Sequence, residues 1–389
     1  MKRRESIAFF DSGFQNSILK KTERKKSNTN SKLHELKGEQ FSQSPLQATL
    51  NTIPVDQFEL QYLARSNKQS KQNSSGVSFF NLTTQTQLIQ TTAQVFHEKY
   101  EIIKILKENK QCQIVQCRNI FNKEYVVAKI CLQSQNVKIF QVFQSEINSE
   151  IKVNKTLKKY PHTKLMKLLE IITEKDTSIF IYEYMAGGTL YEFMQQKHLK
   201  LDDSEIKTIF KQLLKALKHL HSLNILHRDI KLDNIMFKTK GDIKSLKLID
   251  FGFATFISDN KNMEFRCGTP GYVAPEIYQQ SVPYNELCDI YSLGAVIHIL
   301  ATGKRIYSSK LAPKEICELN KKNQYVISDN LKCPLLYDII IQMLKDAGQR
   351  PSVEKCLIHP YFTKLSEMKN SHHDSINQQQ QYIIFLKNI

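Results

Sequence analysis

The chain has 389 residues, 41% of them hydrophobic, and carries 55 lysines and arginines against 38 aspartates and glutamates, a net charge of +17. That length divides into about two domains of ordinary size, and the basic balance favours acidic partners such as nucleic acid, anionic membrane surfaces, acidic protein faces or nucleotide phosphates. The eight cysteines are scattered with no C-x-x-C pair, no apolar run approaches a membrane span, no apolar stretch follows Met1 to Glu5, and Lys2 stands where myristoylation needs glycine, all of which argues against a zinc site, a disulfide framework, a secretory signal and a lipid anchor.

Residues 1–97 form a basic, polar tail rich in Ser, Asn, Gln, Thr and Lys. They hold too few apolar groups to offset the entropy of ordering, so disorder is expected. Two features stand out within the tail. The run Lys20-Lys21-Thr22-Glu23-Arg24-Lys25-Lys26 reads as a nuclear-import or lipid-binding patch, or as a solvated charge run. Val55, Phe58, Tyr62 and Leu63 follow Pro54 at helical spacing, the pattern of a short helix that docks onto the folded domain after it, or of transient structure in a loose tail.

Residues 98–182 read as a small strand-rich lobe. Tyr100 to Leu106, Ile114-Val115 and Tyr125 to Ile130 are three expected strands, and Ile179-Phe180-Ile181-Tyr182 is a short apolar run of the kind found in buried strands. A Gly187-Gly188 turn follows. From Leu190 the pattern is helical, and Ile206, Ile209, Phe210, Leu213, Leu214, Leu217 and Leu220 recur at three and four, which predicts a long core helix. That helix leads into His227-Arg228-Asp229-Ile230-Lys231-Leu232-Asp233-Asn234. A short strand, Lys247-Leu248-Ile249, then presents Asp250-Phe251-Gly252.

The two motifs HRD-x-K-x-x-N and DFG, complete, in order and at the usual separation, resemble those of the eukaryotic protein kinases of the serine/threonine type. The resemblance covers about residues 98–362. It implies a two-lobed α+β fold, with a small β-rich lobe holding one helix (98–182), a hinge (183–186) and a larger helical lobe (187–362), followed by a C-terminal tail (363–389). It also implies ATP and Mg²⁺ as cofactors and protein substrates phosphorylated on serine or threonine. Asn234 and Asp250 are the implied metal ligands, an amide oxygen and a carboxylate, as a hard cation prefers. Asp229 is the carboxylate that orients the attacking hydroxyl and accepts its proton, and Lys231 is the charge that meets the transferring phosphoryl group.

The same resemblance assigns the remaining positions. Lys129, in Val127-Ala128-Lys129, is the candidate to hold the α- and β-phosphates. Glu150 is its partner on the following helix, with Glu146 one turn earlier as the alternative. Leu106, Ile114, Ala128 and Met236 are expected to line the nucleotide, backbone groups of Glu183 and Met185 to meet the adenine, and Tyr182 to narrow the rear of the pocket. The stretch from Gly268-Thr269-Pro270 to Ala274-Pro275-Glu276 is similar to the calcium/calmodulin-type group. There Thr269 belongs beside Asp229 and Lys231, which favours an aliphatic hydroxyl as acceptor. Asp289 matches the buried anchor of the catalytic loop, Tyr291 replaces a frequent tryptophan, and Arg350 matches the partner of Glu276.

Three positions depart from the family pattern. The phosphate-covering loop, normally G-x-G-x-x-G, reads Lys107-Glu108-Asn109-Lys110-Gln111-Cys112, and no glycine occurs between Gly76 and Gly187. Glycine there lets the backbone approach phosphate closely, so its loss opens the alternative of a pseudokinase, a binding module on the same fold. Lys107 and Lys110 offer substitute charge. Asn154, four residues after Glu150 and on the same helical face, stands where the family usually has leucine or methionine, and needs a hydrogen-bond partner if buried. Phe265 occupies the usual activating phosphosite, which leaves Glu264 as a fixed charge for Arg228, or Thr255 and Ser258 as other sites.

Thr189 and Asp233, at positions that read basic peptides in the family, support a basic preference only through Asp233. Nucleic acid is not an expected partner, since no nucleic-acid motif accompanies the charge. A reducing compartment, cytoplasmic or nuclear, is expected from the cysteine usage, and docking partners are expected at the N-terminal tail.

Overall fold

The computed structural model describes residues 94–363, apart from 109–111, 133–136, 175–176, 280–282, 329–330 and 332. The basic run at 20–26, the docking segment at 55–63, the middle of the phosphate loop and nearly all of the C-terminal tail lie outside the described residues.

The strand-rich lobe is built on a five-stranded antiparallel sheet in the order β1-β2-β3-β5-β4. Its strands are β1 (Tyr100–Glu108), β2 (Cys112–Asn119), β3 (Tyr125–Leu132), β4 (Leu168–Glu174) and β5 (Thr177–Glu183). Because side chains alternate across a strand, each face has its own core. One face packs Val115, Cys117, Val126, Ala128, Ile130, Ile179 and Ile181 against Phe96 and Tyr100. The other gathers Cys131, Phe180, Tyr182 and Leu168 with Ile147 of helix α2 (Val137–Lys159).

A short helix, α1 (Gln94–Lys99), precedes the sheet. Its Phe96 is fully buried and stacks on Tyr100 with ring centroids 5.6 Å apart. The expected tail to residue 97 is therefore corrected at its end: residues 94–97 belong to the folded lobe, anchored by the buried Phe96 ring, whose burial and stacking offset part of the cost of ordering the turn. The lobe thus has a short helix besides the expected α2.

The helical lobe begins with α3 (Leu190–Gln196) and α4 (Asp203–Ser222). Asp202 caps α4 in a reciprocal arrangement with Glu205, which satisfies donors that the helix cannot. Every apolar residue of the α4 repeat is buried. The chain then makes three short two-residue or three-residue strands, β6 (Ile225–Leu226), β7 (Ile235–Phe237) and β8 (Leu246–Leu248), with β9 (Thr255–Phe256) pairing back to β6. A short helix α5 (Asn260–Met263) follows, and then α6 (Leu287–Thr302), which is buried along nearly its whole length. The helices α7 (Pro313–Lys321), α8 (Pro334–Met343), α9 (Val353–Leu357) and α10 (Pro360–Thr363) complete the lobe.

Gly187 sits where the chain leaves the hinge. A Cβ there would lie 2.6 Å from the Phe237 Cβ and 2.7 Å from two main-chain oxygens, so only glycine fits. Among the described residues no helix is long and apolar enough to cross a membrane.

Candidate active site

Lys129 lies at the centre of β3, and its ammonium is 2.7 Å and 2.9 Å from the two carboxylate oxygens of Glu150. The same nitrogen is 3.2 Å from Asp250 Oδ1. Glu150, and not Glu146 one turn before it, is the residue of α2 that meets Lys129. Burial alone would lower the Lys129 pKa, but the Asp250 and Glu150 carboxylates outweigh it and hold the ammonium well above its ordinary value. The Tyr182 hydroxyl lies 3.4 Å from Glu150 Oε1 and its ring is buried, filling the rear of the cleft.

Asp289, at the start of α6, organises the next segment. Its carboxylate accepts the main-chain N–H groups of His227 and Arg228, each at 2.9 Å, and lies 3.1 Å from His221 Nε2. Arg228 takes φ +64°, an uncommon conformation for a side-chain-bearing residue, and the loop turns so that Asp229 faces Thr269. Thr269 Oγ1 donates to Asp229 Oδ1 at 2.6 Å. Lys231 Nζ donates to Asp229 Oδ2 at 2.7 Å and to Thr269 Oγ1 at 2.8 Å. The Asn234 amide nitrogen donates to the Asp229 main-chain oxygen and to its Oδ2, each at 2.8 Å. Burial pushes the Asp229 carboxyl up, but the Lys231 ammonium and the bonds from Lys231 and Thr269 outweigh it, so the net direction is down.

Asp250 also takes a left-handed φ, +62°, and accepts the Gly252 N–H at 3.2 Å. Phe251 behind it is fully buried and meets the His227 ring edge-on at 5.6 Å. A Cβ on Gly252 would come within 2.8 Å of Lys129 Nζ, so a side chain there would displace the lysine. The donor set fits a magnesium ion on its chemistry. The Asn234 nitrogen is committed twice to Asp229, which leaves its carbonyl oxygen, and Asp250 brings a partly exposed carboxylate. Two oxygen ligands of this kind suit a cation that keeps its remaining positions for phosphate and water.

The expected nucleotide-lining residues separate by strand face. Ile114 lies directly opposite Lys129 in the β2–β3 register, on the cleft side. Ala128 does not: it is fully buried in the core on the other face of the sheet. The assignment is corrected to Val127, two residues before Lys129 and therefore on the same face; the strict alternation of β3 contained that signal. Leu106 sits at a register shift near the exposed end of β1. Met236 is half-buried in β7, paired with Thr189, and Met185 is buried in the hinge. The Glu183 amide is already bonded to the Lys167 carbonyl at 3.1 Å, and its side chain pairs with Lys247 and Lys238. Of its backbone polar groups, the carbonyl is the one left to meet an adenine.

Arg228 is met by acceptors within the chain. Its guanidinium donates to the main-chain oxygens of Phe253 and Asn262, each at 2.7 Å, to that of Phe265 at 3.2 Å and to the Tyr284 hydroxyl at 2.8 Å. Glu264 is exposed and is not among these partners, so it does not act as the substitute charge. Thr255 is fully buried beside the Ser149 hydroxyl, 3.3 Å away, whereas Ser258 is exposed. Sequence reasoning missed these carbonyl acceptors because every residue carries one and no side-chain type marks them. At the end of the segment, Arg350 meets both oxygens of Glu276 at 2.6 Å and 3.2 Å, and its guanidinium lies over the Tyr291 ring.

Asn154 is 1% exposed. Its amide nitrogen donates to the Glu150 carbonyl at 2.9 Å, and its Oδ1 has no partner among the described residues.

Comparison with known proteins agrees with this geometry. The model of the protein kinase domain matches residues 100–362. "Calcium-dependent protein kinase 5" of Plasmodium berghei is 32% identical over 226 residues, covering 57% of this chain and 39% of that protein. "Probable serine/threonine-protein kinase fhkA" of Dictyostelium discoideum is 30% identical, covering 58% and 43%. "Probable serine/threonine-protein kinase 2" of Plasmodium falciparum is 33% identical, covering 59% and 44%. The chain thus spans less than half the length of these relatives. With its Lys129–Glu150 pair, its Asp229 cluster and a family match running from β1 to α10, the chain belongs to the protein kinase superfamily.

Proposed function

We propose that the chain is a serine/threonine kinase that transfers the ATP γ-phosphate to aliphatic hydroxyls of protein substrates. The observation that carries this reading is the bonding of Asp229. Lys231 and Asn234 occupy its Oδ2, while Oδ1 carries only the Thr269 hydroxyl among the described contacts. Oδ1 therefore retains a lone pair to orient an incoming hydroxyl and take its proton. The lowered pKa keeps that carboxylate ionised at neutral pH. Lys129, fixed by Glu150, positions the α- and β-phosphates, and Lys231 offsets charge on the transferring group. Magnesium, held by Asn234 and Asp250, neutralises phosphate oxygens when bound. Thr269 crowds the approach to Asp229, which favours serine and threonine over tyrosine, and the names of the relatives point the same way.

The chain works without a phosphate on its activation segment, because main-chain oxygens already accept the Arg228 N–H groups. A second reading, a pseudokinase, is favoured by the missing glycines between Gly76 and Gly187. Incubation of unphosphorylated protein with Mg²⁺-ATP and matched serine and tyrosine peptides separates the two. Phosphate on the serine peptide, absent in Asp250→Ala, supports the kinase. A silent wild-type chain at saturating ATP establishes the pseudokinase.

A further inference from the structure

Cys112 and Cys131 form a feature that the phosphotransfer chemistry does not use. Cys112 opens β2 and Cys131 stands directly opposite it in β3. Directly opposed residues of an antiparallel pair have Cα atoms about 4.5–5.5 Å apart, inside the range of about 4.4–6.8 Å that a disulfide spans without backbone movement. Their sulfurs are 2.7 Å apart. Cys131 is fully buried, packed with Ile147 of α2, Phe180 and Tyr182, whereas Cys112 is partly exposed at the strand end. Cys131 is two residues beyond Lys129 and shares its face, and the next cross-strand pair on that face is Ile114 with Lys129. The two thiols therefore border the Lys129–Glu150 ion pair.

We propose that Cys112 and Cys131 are a redox-sensitive dithiol that closes to a disulfide and thereby weakens nucleotide binding. The exposed thiol attacks and the buried one resolves. A thiolate on Cys112 attacks one sulfur of a small-molecule disulfide of the glutathione class, breaking its S–S bond and releasing one thiol. The Cys131 sulfur then attacks the Cys112 sulfur and releases the second. Two cysteine thiols lose two electrons, one S–S bond forms as one breaks, and the two protons end on the released thiols. The division of labour agrees with the environment of Cys131, where contact with Cys112 and burial hold the proton on sulfur. Reversible disulfides of this sort are the form expected in a reducing compartment. Closure ties the first residue of β2 to the strand that carries Lys129, two register positions from Ile114, and removes the freedom of that corner to adjust around a nucleotide.

The test equilibrates the folded, reduced full chain with glutathione buffers of rising oxidised fraction, then traps free thiols and maps peptides by mass. A peptide linking Cys112 to Cys131, lighter by two hydrogens and reopened by dithiothreitol, is expected. In Cys131→Ser the reaction stops at a glutathione adduct on Cys112. In Cys112→Ser, a substitution at the partly exposed position that keeps the test open if the buried one misfolds, Cys131 stays a thiol. A stable adduct on Cys112 of the wild-type chain with Cys131 still free, or a bridge to another cysteine, would overturn the proposal. The dissociation constant of a fluorescent ATP analogue is expected to rise about fivefold on closure; an unchanged value in fully bridged protein overturns the switch. Bridge formation does not depend on nucleotide, so a reduced chain that binds none bears on the kinase reading, and an unbridged pair bears on this one.

Discussion

Residues 227–234 and the interior of the strand-rich lobe both bury polar side chains, and they treat them differently. Around the catalytic loop each functional group is met: Asp289 by two amides and a histidine, Asp229 by Lys231, Asn234 and Thr269, and Arg228 by three carbonyls and a hydroxyl. In the upper lobe Gln113 is 1% exposed with neither end of its amide bonded among the described residues, and Asn154 likewise leaves its oxygen unpartnered there. An unmet buried polar atom costs about 1–3 kcal/mol. Unmet atoms are not confined to the upper lobe: among the described residues the helical lobe leaves Gln212 Oε1, His221 Nδ1 and Asn323 Oδ1 without a partner. The contrast is therefore between the catalytic loop, a template where the functional carboxylates and Arg228 are held on several sides, and the surrounding cores, where some buried amides are not; motion draws on regions of lower local stability.

The comparison is sharpened first at the template. Asp229→Asn keeps the shape and removes the base, and kcat should fall about 10³-fold with nucleotide affinity retained; a steady-state assay beside a binding titration reads both. Arg350→Leu leaves Glu276 buried and unpaired and should destabilise the chain by about 3–5 kcal/mol, measured by urea unfolding. A loss below 1 kcal/mol would show that this pair is no more tightly determined than the amides of the surrounding cores.

A pH profile probes the same template electrostatically. The folded Asp229 pKa lies below its unfolded value of about 3.9, so its stabilising contribution is complete above that pH and is lost as pH falls through the folded value. The acid limb of kcat should accordingly lie below the ordinary carboxylate range. Lys231→Met removes the main opposing charge, lets burial dominate and should move that limb up.

The upper lobe is expected to answer in the opposite sense. Asn154→Leu replaces a half-satisfied amide, bonded through its nitrogen alone, by an apolar group and should raise stability by about 1 kcal/mol, read as a higher unfolding midpoint; destabilisation would mean that the amide is needed. The smallest effect belongs to Glu264→Gln, for which activity should stay within about twofold because Arg228 binds carbonyls instead. A large loss there would restore Glu264 as the substitute for phosphate.

The catalytic motifs, the Glu276–Arg350 pair, the long core helix and the change from strand to helix periodicity were legible in the chain of letters, because each depends on side-chain type at a fixed spacing. Glu150 was expected ahead of Glu146 from the family pattern, but helical spacing puts both on one face, and the packing of α2 on the sheet is what brings Glu150 to Lys129. The face of Ala128 was within reach of strand alternation, yet it took the paired register of β2 and β3 to show that Val127 accompanies Lys129. The acceptors of Arg228 and the meeting of Cys112 with Cys131 belong to the tertiary structure alone. Main-chain oxygens leave no mark in sequence, and two cysteines nineteen positions apart become neighbours only when a hairpin closes in one register.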